Sequence, residues 1–187
     1  MDYLILVNRD NILNKTYVPD ELIDCKSKYK DGILVNKLVY EQFVKMKNDA
    51  NRYGYNIDIM SGYRDYDYQD KLYNKLIWEK GFNYAFRCIA PPGASEHQTG
   101  LAIDVCVYRD NNCYIEHEIE SFSEINWLHN NAHKYGFILR YPMDKENITG
   151  YNYEAWHLRY VGNIANYLYS NNLTLEEFIK KTCKHDD

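Results

Sequence analysis

Two histidines and two carboxylates are split between two short segments, SEHQTGLAID at residues 95–104 and EAWH at residues 154–157. Zinc prefers nitrogen and oxygen donors in a tetrahedron, and a catalytic site uses three protein ligands and leaves one position for water. His97, Asp104 and His157 supply such a set. Glu154 then remains as an unattached carboxylate near the third ligand, where it can take a proton from an activated water. On a regular strand, positions 154 and 157 face opposite ways, so a bulge or turn is expected between them. Types and spacing alone are also compatible with a hydrogen-bonded loop histidine and a solvated strand aspartate. His117, His129, His133 and His185 are read as ordinary structural or surface histidines. His129 and His133 stand four apart on an expected helix, but without the acidic residue of an HExxH arrangement.

The elements that must position these groups follow from hydrophobic periodicity. Leu38, Val39, Phe43 and Met46 recur at helical spacing and predict a helix over 37–53, closed by Gly54. Ile57 and Ile59 alternate with polar neighbours, predicting a strand that ends at Ser61 and Gly62. A second helix is expected over 67–80, with Leu72, Leu76 and Trp78 among its apolar positions, and then a loop, FRCIAPPGASEHQTG, marked by Pro91, Pro92 and Gly93. Residues 101–108 alternate with period two, and KYGFILRY and AWHLRYV read as further strands. Ser121 with Glu124, and Thr174 with Glu177, have the spacing of capping boxes, the second for a C-terminal helix TLEEFIKKT. The strands near 101, 137 and 157 look half-exposed, which favours an α+β fold with a central antiparallel sheet and flanking helices on one side. No linker rich in Pro, Gly or Ser divides the 187 residues, so one domain over 1–187 is expected.

Composition narrows the function classes. A net charge of -5 argues against a general nucleic-acid binder. No run of about twenty apolar residues is present to span a membrane, and MDYLILVNRDN lacks the charged leader and cleavage site of a signal peptide. A cytoplasmic location is therefore expected. Five cysteines, Cys25, Cys88, Cys106, Cys113 and Cys183, lack CxxC spacing and read as reduced thiols. Twenty tyrosines are the one departure from ordinary usage. Their apolar body and hydroxyl suit a groove that packs against and hydrogen-bonds a polar peptide, although half-buried surface tyrosine is the commoner case.

Three blocks, SGYRDYDYQ (61–69), SEHQTGLAIDV (95–105) and EAWHLRYVG (154–162), resemble the signature blocks of the D-alanyl-D-alanine carboxypeptidase family of zinc peptidases, the VanY type. The pattern SxHxxGxAxD followed by ExWHxRY is highly specific, and similarity through residues 136–162 and the opening LVNRDN extends it over nearly the whole chain. Length and the missing leader are most similar to the VanXY branch, which joins D,D-dipeptidase and D,D-carboxypeptidase activities in vancomycin-resistant bacteria. The resemblance implies a hedgehog/D,D-peptidase-like fold and one Zn2+ per chain on His97, Asp104 and His157. It implies Glu154 as catalytic base and Arg64 as the group that polarises the scissile carbonyl. Ser95 would hold the substrate carboxylate, and Gln69 would line the same pocket. Ala155 departs from the family pattern, which often has proline there.

The implied partners are D-Ala-terminated peptides or peptidoglycan precursors; the oligomeric state is not legible. Arg64 keeps its charge at any working pH and so suits a negative oxygen in the tetrahedral intermediate; the alternative is a surface ion pair with Asp65 or Asp67. Arg159 alternates with His157 and is expected to support the site without touching substrate. Two other functions compete: an L,D-carboxypeptidase trimming D-Ala from tetrapeptides, and a non-catalytic zinc-containing domain that binds cell-wall peptides. Retention of both Glu154 and Arg64 speaks against the second, because a binding module needs no base.

Overall fold

The computed structural model describes residues 2–182. A short antiparallel hairpin of β1 (Leu22–Asp24) and β2 (Leu34–Asn36) runs directly into α1 (Lys37–Arg52). Asn36 caps α1, its side-chain oxygen accepting from the Leu38 and Val39 N–H groups. Gly54 follows the helix in the left-handed region, as the periodicity predicts. Val39, Phe43, Met46 and Ala50 form the buried stripe of α1.

The central sheet has the order β3 (Ile57–Ser61), β4 (Ala102–Arg109), β7 (His157–Tyr160), β6 (Phe137–Leu139), with β5 (Asn112–Tyr114) also pairing with β4. Every pairing is antiparallel. Ile103, Val105 and Val107 of β4 join Ile57, Ile59 and Leu158 in one hydrophobic cluster with α1 and with Ile125 and Leu128 of α4 (Ser123–Asn131). A smaller cluster of Ile138, Val161, Ala165, Leu168 and Leu175 seats the last two described helices, Ala165–Ser170 and Leu175–Thr182. The antiparallel α+β expectation therefore holds.

Several local expectations need correction. The alternation in β4 and β7 is present, but the strands are not half-exposed: residues 102–107 and 157–160 are all buried. The polar alternates Asp104 and His157 face a cavity that Leu76 of α2 (Tyr66–Lys80) and Tyr84 and Cys88 of α3 (Phe82–Cys88) also line, and Arg159 is buried against Glu96 and the carbonyls of Tyr3 and Ile5. The expected loop at 86–100 begins inside α3 and contains a 3₁₀ turn at Glu96–Thr99. Trp78 faces solvent, 87% exposed, because α2 buries only Gln69 and Tyr73. The Ser121–Glu124 box does not form: α4 starts at Ser123 after Phe122, and the Glu124 carboxylate is taken by Arg109. The Thr174–Glu177 box forms in both directions, at 2.9 and 3.2 Å. The strand expected over AWHLRYV is confined to His157–Tyr160. Cys25, Cys88, Cys106 and Cys113 are free thiols; Cys183 and His185 lie outside the described residues.

Candidate active site

The three sequence blocks meet at one end of the sheet. Asp104 lies opposite His157 in the β4–β7 register, and a shift in the β3–β4 pairing sets Ser61 opposite Asp104. His97 sits on the 3₁₀ turn, which Gly100 ends with φ 69°. The first block is bound to the second through backbone: Arg64 N–H donates to the His97 carbonyl at 3.2 Å, and the Gly62 carbonyl lies 2.6 Å from His97 Nδ1. Only glycine fits at position 62, where a Cβ would meet the Leu34 carbonyl oxygen at 2.2 Å. The expected turn between Glu154 and His157 is present, closed by His157 N–H donating to the Glu154 carbonyl at 3.3 Å.

These contacts leave the donor atoms converging. His97 Nε2 stands 3.2 Å from Asp104 Oδ2, and His157 Nδ1 stands 3.0 Å from Asp104 Oδ1. One ligand atom from each of the three residues falls within 4.8 Å of the others. Tetrahedral zinc with bonds near 2.0–2.1 Å separates its ligand atoms by about 3.3 Å, so the set fits such an ion with small adjustment. Donor chemistry agrees. With its Nδ1 proton committed to Gly62, His97 turns an unprotonated Nε2 inward, and that atom is buried without a hydrogen-bond partner. Burial, and then Arg64, lower the His97 pKa to about 4, which keeps the ring neutral. His157 behaves oppositely. Burial lowers its pKa, but Asp104 and Glu96 outweigh that and raise it to about 9. A cation shared by these side chains would displace that proton while meeting the same negative charge.

Glu154 lies beside the three candidate metal donors, its Oε2 3.6 Å from His157 Nδ1. Burial raises its pKa to about 7 against the opposing pull of His157 and Arg64. Arg64 reaches the same place from the other side, Nη1 3.7 Å from Asp104 Oδ2 and 3.3 Å from Ser61 Oγ. It makes no surface pair with Asp65 or Asp67: Asp65 caps α2, and Asp67 pairs with Lys15. Arg64, Ser95 and Glu154 all line a cavity of about 380 Å³ that also contains the three donor residues. Gln69 does not line it; its Nε2 donates to the Ala90 carbonyl at 2.8 Å and so fastens a residue of the wall from behind.

Two further groups of residues complete the site, and of these Glu96, Arg140 and His117 were not foreseen. Glu96, between Ser95 and His97, is buried and carries Arg140 Nε and Arg159 Nη1 on one oxygen, each at 2.7 Å. Its other oxygen lies 3.7 Å from His157 Nε2, so it faces the back of that ring. Arg159 thus supports the site through Glu96. Tyr84, Tyr141 and Tyr151 contribute cavity walls, the groove-lining use of tyrosine, while His117, assigned no role, lines the cavity against Trp156 at 4.9 Å between ring centroids. The acidic neighbour of His97 and the arginines of ILRY and HLRY were visible signals for the first group. Nothing local signals His117.

The family model for VanY, D-alanyl-D-alanine carboxypeptidase, matches residues 32–163. The chain belongs to this family. Among VanY relatives, the putative carboxypeptidase YodJ of Bacillus subtilis (strain 168) is 40% identical, over 97% of this chain and 68% of its own length. VanXYC of Enterococcus gallinarum, a bifunctional D-Ala-D-Ala dipeptidase and carboxypeptidase, is 34% identical over 95% of this chain and 94% of its own. Among solved structures, the LdcB LD-carboxypeptidase superposes with a TM-score of 0.86 at 40% identity, covering 94% of this chain and 85% of that one. The vancomycin-resistance D,D-pentapeptidase VanY from a VanB-type cassette, solved with Zn(II), gives a TM-score of 0.81 at 32% identity, covering 96% and 99%. Like its VanY-family relatives, the chain is a hydrolase of the carboxypeptidase/dipeptidase type. Among the described residues no helix is long and apolar enough to cross a membrane.

Proposed function

We propose that this chain is a zinc-dependent D,D-carboxypeptidase, with or without D,D-dipeptidase activity, acting on the D-Ala-D-Ala end of peptidoglycan precursor peptides. One observation carries the reading: His97, Asp104 and His157 converge in a cavity that also holds an unattached carboxylate, Glu154, and a guanidinium, Arg64. Bound by the three ligands, one zinc per chain would supply a Lewis acid and lower the pKa of a water toward about 7. Glu154 takes a proton from the attacking water and returns it to the departing amine, a task its raised pKa suits. Arg64 offers a permanent positive charge to the oxygen that becomes negative in the transition state. Ser95, two residues before a ligand on a turn fixed by that ligand, receives the substrate carboxylate. Gln69 acts through Ala90 on the wall of the pocket.

The relation to LdcB favours a second reading, an L,D-carboxypeptidase that removes D-Ala from tetrapeptides. One experiment separates the two. Zinc-loaded protein is incubated with D-Ala-D-Ala, with a pentapeptide ending in D-Ala-D-Ala, and with the matching tetrapeptide, and released D-Ala is followed. Release from the first two supports the D,D reading, and release from the tetrapeptide alone transfers the assignment to L,D cleavage. Stoichiometric zinc without turnover on any of them makes the chain a binding domain. A cytoplasmic location and a part in vancomycin-type resistance belong to the same proposal, and cell fractionation and susceptibility testing check them.

A further inference from the structure

The turn from Glu154 to His157 bears both the proposed base and a proposed ligand, and each of its carbonyls is engaged. The Glu154 carbonyl accepts from His157 N–H at 3.3 Å, the Trp156 carbonyl from Val105 N–H at 3.0 Å, and the His157 carbonyl from Arg140 N–H at 3.2 Å. Backbone supplies all three. The remaining carbonyl, that of the fully buried Ala155, lies 2.8 Å from a side-chain nitrogen, His129 Nε2. That carbonyl belongs to the peptide plane between Ala155 and Trp156. Its direction therefore fixes two of the dihedrals that set Glu154 relative to His157. Alanine at 155 adds no ring to restrict its own φ, so the side-chain hydrogen bond is a restraint on that plane beside the backbone bonds of the turn.

His129 is well placed to act as a rigid donor. It sits on α4, whose Ile125 and Leu128 are anchored in the main core. It does not line the active-site cavity; it borders a separate hollow beside His133 and Leu168. We propose that His129 is a positioning residue for the catalytic turn, donating its Nε2 proton to the Ala155 carbonyl and so holding Glu154 and His157 in their working arrangement. The inference rests on the roles given to Glu154 and His157 above.

The test uses the full chain, zinc-loaded or cobalt-substituted, in three forms. His129→Phe keeps a flat ring and removes the donor, whereas His129→Gln sets an amide N–H at nearly the reach of Nε2. The phenylalanine variant should lose kcat on the order of 10²-fold with KM nearly unchanged, the effect of a small misplacement. Its cobalt d–d spectrum should shift, and amide exchange across residues 154–158 of the metal-free protein should quicken. His129→Gln should restore all three readouts. A merely structural histidine would lower the melting temperature of the phenylalanine variant yet leave kcat per folded molecule, cobalt spectrum and local exchange unchanged, and that result overturns the proposal. Should His129→Phe not fold, His129→Asn, whose amide is too short to reach the carbonyl, takes its place in the comparison with His129→Gln. If wild-type protein cleaves none of the D-Ala peptides, the functional reading fails, while spectrum and exchange still decide the part played by His129.

Discussion

Replacing Glu96 with glutamine removes one negative charge from a buried cluster and keeps a carbonyl oxygen where both arginines donate. The cluster is neutral as it stands. Arg140 is paired with Glu96 and, through two hydrogen bonds of 2.6 and 2.9 Å, with Glu176. Arg159 has Glu96 as its charged partner and otherwise donates to the carbonyls of Tyr3, Ile5 and Tyr160. Glu96→Gln therefore leaves Arg159, itself fully buried, without a counter-ion. Breaking a buried pair from one side costs about 3–5 kcal/mol. A chain of this size loses about 2–4 °C of Tm per kcal/mol, so the expected fall is about 6–20 °C. Thermal unfolding followed by circular dichroism on metal-free protein measures it without any contribution from metal binding. Adding Arg159→Met to the variant removes the stranded charge and should recover part of the loss. Acid gives an independent check. Burial raises the Glu96 carboxyl, but Arg140 and Arg159 outweigh it and hold it well below the ordinary carboxylate range. Its contribution is then present above the unfolded value near 4.5 and is lost as pH falls through the depressed folded value. Wild type should therefore lose stability below about pH 4.5 more steeply than Glu96→Gln. A variant melting within about 2 °C of wild type, with an unchanged acid limb, would refute the charge accounting.

Glu154→Gln should fold and keep its metal while hydrolysis of D-Ala-terminated peptide falls at least about 10²-fold to 10⁴-fold; near-normal kcat with metal bound would assign the base elsewhere. His97→Ala and His157→Ala should each lose stoichiometric zinc in plasma emission analysis, and full occupancy in both would overturn the ligand set. Arg64→Ala should reduce kcat by the equivalent of about 2.7–4 kcal/mol, whereas a raised KM with normal kcat would make Arg64 a ground-state contact. Burial raises the Cys25 thiol to about 11 and pushes Cys106 higher still, so at pH 8 iodoacetamide should label the partly exposed Cys88 and Cys113 well before either. Peptide mass mapping reads this out, and early labelling of Cys25 would contradict its burial.

What could be read from the sequence was either local or carried by a distinctive pattern. The Thr174–Glu177 box is legible because all its partners lie within four residues, and α1 because its apolar stripe repeats at helical spacing. Ser121 and Glu124 have the same spacing as the true box, yet Arg109, fifteen positions away from Glu124, claims that carboxylate first. Trp78 illustrates a different limit. An apolar side chain at a helical position does not say which face a helix buries, and α2 turns that one to solvent. The candidate ligands His97, Asp104 and His157 were legible through blocks that resemble a family pattern, but the separations among them depend on β4–β7 register and on the slip between Ile59 and Ser61.

The alternation in β4 and β7 shows how the missing part follows from the visible one. A strand with polar alternates ordinarily turns them to water, but here Asp104 and His157 are turned toward the site cavity and Arg159 is buried against Glu96. Buried charges must be met by others, so a second ring of charge has to exist behind the first. Glu96 and Arg140 are that ring, and they come from the turn that bears His97 and from the residue after β6. The turn at residues 95–97 consequently serves three ends at once: Ser95 on the cavity wall, Glu96 balancing two arginines, and His97 presenting a bare nitrogen. A substitution at Glu96 thus acts on the fold and on the back of the His157 ring together. This is why its stability is best measured with the metal removed, and why the ligand residues and the charge cluster behind them form one structural unit.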